Sequence, residues 1–116
     1  MRGSEDESIC IWLLSQAPEH AANEQVAITE LQEGWRPITV YTDVHACVND
    51  ILGQPDELIY LRLGYGWSYL PSLLPEVAQI QCIYLSEPSN AASDIRVRGV
   101  FCQTAELRQQ WSKDIQ

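Results

Sequence analysis

Residues 9–15, ICIWLLS, decide the fold, because seven positions pass with no apolar–polar alternation. A strand with one face in water alternates with a period of two. An unbroken apolar run of this length is what a strand covered on both faces requires. Residues 9–15 therefore read as a central strand of a sheet sandwiched between helices. Outward from it, residues 19–33 are rich in Ala, Glu and Gln and place Ala21, Ile28, Leu31 and Trp35 on one helical stripe, which Gly34 ends. Pro37 then opens ITVYT, a β-branched second strand. Thr42 and Asp43 are both competent to cap the helix behind it.

In that helix Val44, Cys47, Val48, Ile51 and Leu52 recur at i, i+3, i+4, i+7 and i+8, and Gly53 and Pro55 close it. Residues 58–63, LIYLRL, are the third strand. The turn GYGWS leads into residues 69–77, where Leu70, Leu73, Leu74 and Val77 keep helical spacing, but Pro75 predicts a short or kinked element. QCIYLS, residues 81–86, is the fourth strand. After a polar loop over 87–94, which has room for a short turn of helix, IRVRGVFC, residues 95–102, is the fifth. Arg96 and Arg98 are expected on one face of it, as at a sheet edge. Thr104 caps a last helix in which Leu107, Trp111 and Ile115 share a face, with Glu106 in its first turn and Lys113 near its end, as the helix dipole prefers.

Strands alternating with helices imply a parallel sheet, and right-handed crossovers leave few topologies. The expectation is a three-layer, doubly wound, mostly parallel five-stranded α/β sheet of the flavodoxin or receiver kind, order 2-1-3-4-5. With 116 residues the chain has room for one core. Residues 1–8 read as a disordered or vector-derived leader and residues 9–116 as the domain.

Sixteen acidic against seven basic residues give a net charge of −9, which disfavours nucleic acid and anionic membranes as partners. No apolar run approaches the roughly 18 residues of a membrane span, and no signal-like segment opens the chain. A cytoplasmic location is expected. Cys10, Cys47, Cys82 and Cys102 lack CxxC spacing and read as reduced, mostly buried thiols.

In such a sheet ligands bind outside the carboxyl ends of the strands, where strand order reverses between the first and third. Ser15, Gln16, Gly64, Tyr65, Gly66, Trp67 and Tyr69 fall there. A phosphate-accepting receiver needs clustered carboxylates at the ends of those strands, whereas here they end in Leu14, Ser15 and in Leu63, Gly64. Ser86 stands where a receiver has its switch hydroxyl and Cys102 where it has a lysine. GYGWS lacks both the G-x-G-x-x-G spacing and the Walker lysine, so glycine punctuation of a turn explains it as well as an anion cradle does. Glu76 can be cast as the acid of a Toll/interleukin-receptor-like NAD-cleaving site. Nine positions and two prolines separate it from Trp67, which favours a solvated helix-end residue. No catalytic residue, metal site or cofactor is expected.

Taken together, ICIWL, CVNDI, LIYLRLG, QIQCIY and VRGVF, in this order and spacing, resemble an uncharacterised receiver-like α/β domain of rotifer-type multidomain proteins, often set ahead of tetratricopeptide repeats or an ADP-ribosyltransferase domain. The chain departs from that pattern at residues 65–68, where the family more often carries small polar residues. The resemblance implies an accessory module of a larger signalling or defence protein and assigns no chemistry to single residues. The expected function is a non-catalytic interaction or regulatory module that meets a protein partner, or a second copy, through Tyr65, Trp67 and Tyr69. The alternatives are NAD or nucleotide hydrolysis and the sensing of a small anion.

Overall fold

The decisive apolar run becomes β1, Ser8–Leu13, in a computed structural model that describes residues 8–33, 37–54, 56–73, 77–88 and 94–115. It is followed by α1 (Pro18–Glu33), β2 (Thr39–Tyr41), α2 (Val44–Leu52), β3 (Leu58–Leu63), a 3-10 turn (Leu70–Leu73), β4 (Ile80–Leu85), β5 (Val97–Val100) and α3 (Thr104–Ile115). The five strands form one parallel sheet in the order β2-β1-β3-β4-β5, the flavodoxin-like order expected from the alternation of elements. β1 and β3 run in register from Ser8 opposite Leu58 to Leu13 opposite Leu63, so the two central strands end at the same level. That shared end is the floor of the site.

The central strands are largely apolar because their alternate residues enter two different cores, with Arg62 of β3 the charged exception. Ile11, Leu13, Ile59, Leu61, Leu63, Ile83 and Leu85 meet Cys47 and Ile51 of α2 on one face. Cys10, Trp12, Tyr60 and Tyr84 meet Ile28 and Leu31 of α1 and Leu107 and Trp111 of α3 on the other. Burial of each large side chain contributes about 1.5–3 kcal/mol.

The local signals act largely as expected. Pro18 occupies the first position of α1, where a missing N–H costs nothing. Asp43, rather than Thr42, caps α2: its Oδ1 accepts from the His45 N–H at 2.9 Å. Pro71 lies within the 3-10 turn, a four-residue element in keeping with the short helix expected between β3 and β4. Gly34, Trp35, Pro55, Leu74, Pro75, Glu76, residues 1–7 of the expected 1–8 leader and the centre of the 87–94 loop lie outside the described residues, whereas Ser8 opens β1.

The last strand is the sheet edge expected for it but departs in its length and in the placement of its arginines. β5 covers only Val97–Val100 and is a sheet edge, so Arg96 precedes it and Cys102 follows it, exposed. The two arginines do not share a face. Arg96 pairs with Asp94 at 2.8 Å and donates to the Pro71 carbonyl over the α2 side, while Arg98 reaches Asp114 of α3 at 3.2 Å. A shift in the β4–β5 register, between Ile83 and Tyr84, accompanies this change. Asp114 also accepts from the Tyr84 hydroxyl at 2.7 Å, which fastens the end of α3 to the sheet. Among the described residues no helix is long and apolar enough to cross a membrane.

Candidate functional site

Two segments rise from the level floor: residues 14–17 from β1 to α1, and residues 64–69 from β3 to the 3-10 turn. Their backbones are tied together from beneath. The Gly64 N–H donates to the Leu13 carbonyl at 2.9 Å, continuing the sheet by one bond, and the Trp67 indole Nε1 donates to the Leu14 carbonyl at 2.8 Å. Trp67 is thereby turned into the α2-side core and only 7% exposed, rather than offered to a partner.

The organising group is Glu24, a carboxylate that α1 buries to 5% exposure on the sheet. One of its oxygens accepts from the Trp12 indole at 3.1 Å and from the Ser15 N–H at 2.9 Å, and the other from the Tyr65 N–H at 3.0 Å. A single side chain thus holds β1 and both loops, through charge-assisted bonds stronger than neutral ones. Gly64 is required by this closeness: a Cβ there would press into the Glu24 carboxylate and sit 2.8 Å from the Leu13 carbonyl oxygen. Gly66, at φ +93°, makes the turn that side chains rarely allow. Its N–H donates to Glu87 at 2.8 Å, and the Ser68 hydroxyl donates to the same oxygen at 3.1 Å.

Above this platform lies an open cleft of about 370 Å³. Of the residues expected there, Ser15, Gln16, Tyr65, Gly66, Trp67 and Tyr69 line it, joined by Ala17, His20 and Glu87. The His20 and Tyr65 rings stack with centroids 4.3 Å apart and planes 10° from parallel, forming one wall. Tyr69, 51% exposed, forms the rim 6.2 Å from the Trp67 ring. Gly64 and Ser86 do not reach the cleft. Gly64 is buried against Glu24, and the buried Ser86 hydroxyl donates inward to the Leu63 carbonyl at 2.6 Å. Glu76 lies outside the described residues. Among the described residues no cluster of three His, Cys, Asp or Glu could hold a metal ion.

Glu24 and Arg62 went unnoticed in the sequence, yet each leaves a signal. Glu24 falls on the stripe of Ile28 and Leu31 at i, i+4 and i+7, where a solvated acid does not belong. Arg62 interrupts an apolar central strand and is 6% exposed. Its Nη1 donates to the Leu85 carbonyl at 2.8 Å, and its guanidinium carbon lies 5.1 Å from the centre of the Trp12 ring. Burial lowers its pKa to about 10, against the opposing pull of Glu24, so at neutral pH it remains a cation. Comparison of the chain with family models, with curated proteins and with solved structures finds no match.

Proposed function

We propose that this receiver-like domain is a non-catalytic interaction or regulatory module that engages a protein segment, from a partner or a second copy, at the cleft above β1 and β3. The supporting observation is the use made of Glu24, whose two oxygens hold three N–H donors and so lock the loops in place. Glu87 ties Gly66 and Ser68 in the same manner. What the cleft offers outward is aromatic or neutral and polar: Tyr69, the stacked His20–Tyr65 pair and Gln16. Tyrosines of this kind supply contact area at little entropic cost and are enriched where proteins meet. The resemblance to the rotifer-type accessory domain supports a setting within a larger signalling or defence protein. Four free cysteines fit a reducing, cytoplasmic compartment.

Self-association is the form open to immediate test. Amide spectra recorded at rising protein concentration should show shifts confined to residues 15–17, 20 and 65–69, and Tyr69→Ala should abolish them while leaving the circular dichroism unchanged. Shifts located elsewhere, or untouched by Tyr69→Ala, would remove the cleft as the contact surface. Turnover of NAD or a nucleotide by the purified protein would overturn the non-catalytic reading, and its loss in Glu76→Gln would assign the chemistry to that residue.

A further inference from the structure

Behind the His20–Tyr65 wall lies a second cavity, of about 320 Å³, between α1 and the start of α3. Arg62 and Trp12 form its sheet side. Asn23 and Glu24 of α1, Thr104 of α3 and Cys102 complete the enclosure. We infer that this cavity is a binding site for a small organic acid, whose carboxylate is received by the Arg62 guanidinium and the N-terminal turn of α3.

Three independent features converge on an anion. Arg62 carries five N–H donors and a fixed positive charge, yet its hydrogen bonding in the interior is limited to the Leu85 carbonyl, and its buried Nε has no acceptor. Among the described residues it forms no ion pair. The nearby Glu24 carboxylate pulls on this charge without forming an ion pair or hydrogen bond to it, its oxygens accepting instead from Trp12, Ser15 and Tyr65. A buried guanidinium whose N–H groups are left largely without acceptors is costly and calls for an acceptor from outside the fold. The second feature is the cavity itself, which gives an external group access to the Arg62 side chain. The third is α3, a twelve-residue helix whose first turn, at Thr104, presents its positive end to the same space.

The charge balance selects the class of anion. One guanidinium and one helix start face the Glu24 carboxylate on the same wall, within a protein of net charge −9. A carboxylate brings one negative charge and a planar pair of oxygens suited to a guanidinium edge, whereas a phosphate dianion would add a charge that nothing in the cavity offsets. The inference does not rest on the cleft reading: the cleft concerns Tyr69 and Gln16, and this site concerns Arg62 and Thr104.

The experiment follows the Arg62 Nε–H resonance and the Thr104 and Ala105 amides of the nitrogen-15-labelled protein while acetate, and separately inorganic phosphate, is titrated in at constant ionic strength. Acetate should move all three saturably, with the Tyr69 and Gly66 amides still. Asn23→Glu, an exposed helix position, should weaken acetate about tenfold by placing a like charge at the mouth, and Asn23→Gln should not. Arg62→Met should abolish the response of Thr104 if that variant folds, and Asn23→Glu carries the test if it does not. An Arg62 resonance that acetate leaves in place, or an acetate affinity unchanged by Asn23→Glu, would overturn the site. Phosphate binding more tightly than acetate would overturn the choice of a carboxylate.

Discussion

The two faces of the sheet are built from the same strands yet by different chemistry. The face under α2 is mostly aliphatic: Leu13, Ile59, Leu61, Leu63, Ile83 and Leu85 are at most 1% exposed there, and the Trp67 indole beside them has the Leu14 carbonyl as its acceptor. The face under α1 and α3 interleaves aromatic rings with buried polar groups. Trp12, Tyr84 and Trp111 lie at ring distances of 5.4 and 6.5 Å, and Glu24, Arg62 and Ser86 lie nearby with specific partners. The contrast separates two tasks. An aliphatic face holds the sheet together through area, without direction. A polar aromatic face fixes the loops at the strand ends through directional bonds, and it is the face on which the cavity opens.

The contrast can be broken by substitution, beginning with its strongest element. Glu24→Ala leaves the Trp12 indole and the Ser15 and Tyr65 amides without their acceptor and should lower unfolding stability by about 3–5 kcal/mol in urea, as loss of one member of a buried charged network does. Amide exchange at Ser15 and Tyr65 should accelerate beyond the global change. A loss below about 1 kcal/mol, within the range of an ordinary single bond, would show that the loops hold without it. On the aliphatic face, Leu63→Ala should cost about 2–5 kcal/mol through lost burial and a cavity. Cleft amide exchange should then rise only as far as global stability falls, and a selective rise at residues 65–69 would blur the division of tasks.

Ser86→Ala, which removes the donor from the buried Leu63 carbonyl, should cost about 1–3 kcal/mol. A neutral outcome would mean that the carbonyl finds water. Alkaline unfolding gives a smaller and graded effect. Burial and the hydrogen bond to Asp50 push the Tyr41 phenol up to about 12, and burial with the bond to Asp114 raises Tyr84 also. A raised folded-state value means stability that is whole below pH 10, where the unfolded phenols stay neutral, and is lost as pH climbs through about 12. The urea midpoint should therefore fall over that window, and Tyr41→Phe should flatten the fall. Smallest of all, Tyr69→Ala should leave stability within about 0.5 kcal/mol, because the ring is exposed; a larger loss would make it part of the core rather than a rim for contact.

How far the sequence reached differs along the chain. Leu58–Leu63 is the expected strand to the residue, and Asp43 caps α2, since both depend on short-range pattern and local hydrogen bonding. In residues 69–77 the helical spacing together with Pro75 points to a short element, and the described part of it is a 3-10 turn over Leu70–Leu73. Trp67 belongs to the cleft segment as expected, yet its ring turns inward to a carbonyl at the end of β1. Residue order carries the position of a loop but not the direction its side chain takes.

Alternating elements and unbroken apolar runs were enough, in this chain, to determine a two-sided parallel sheet and its strand order, because a strand covered on both faces admits little other than aliphatic and aromatic residues and crossovers have one hand. Only the tertiary structure decided what the buried charges do. Glu24 and Tyr65 are 41 residues apart in the chain, and whether a carboxylate inside a protein finds three N–H groups or none is settled by distances that packing alone creates.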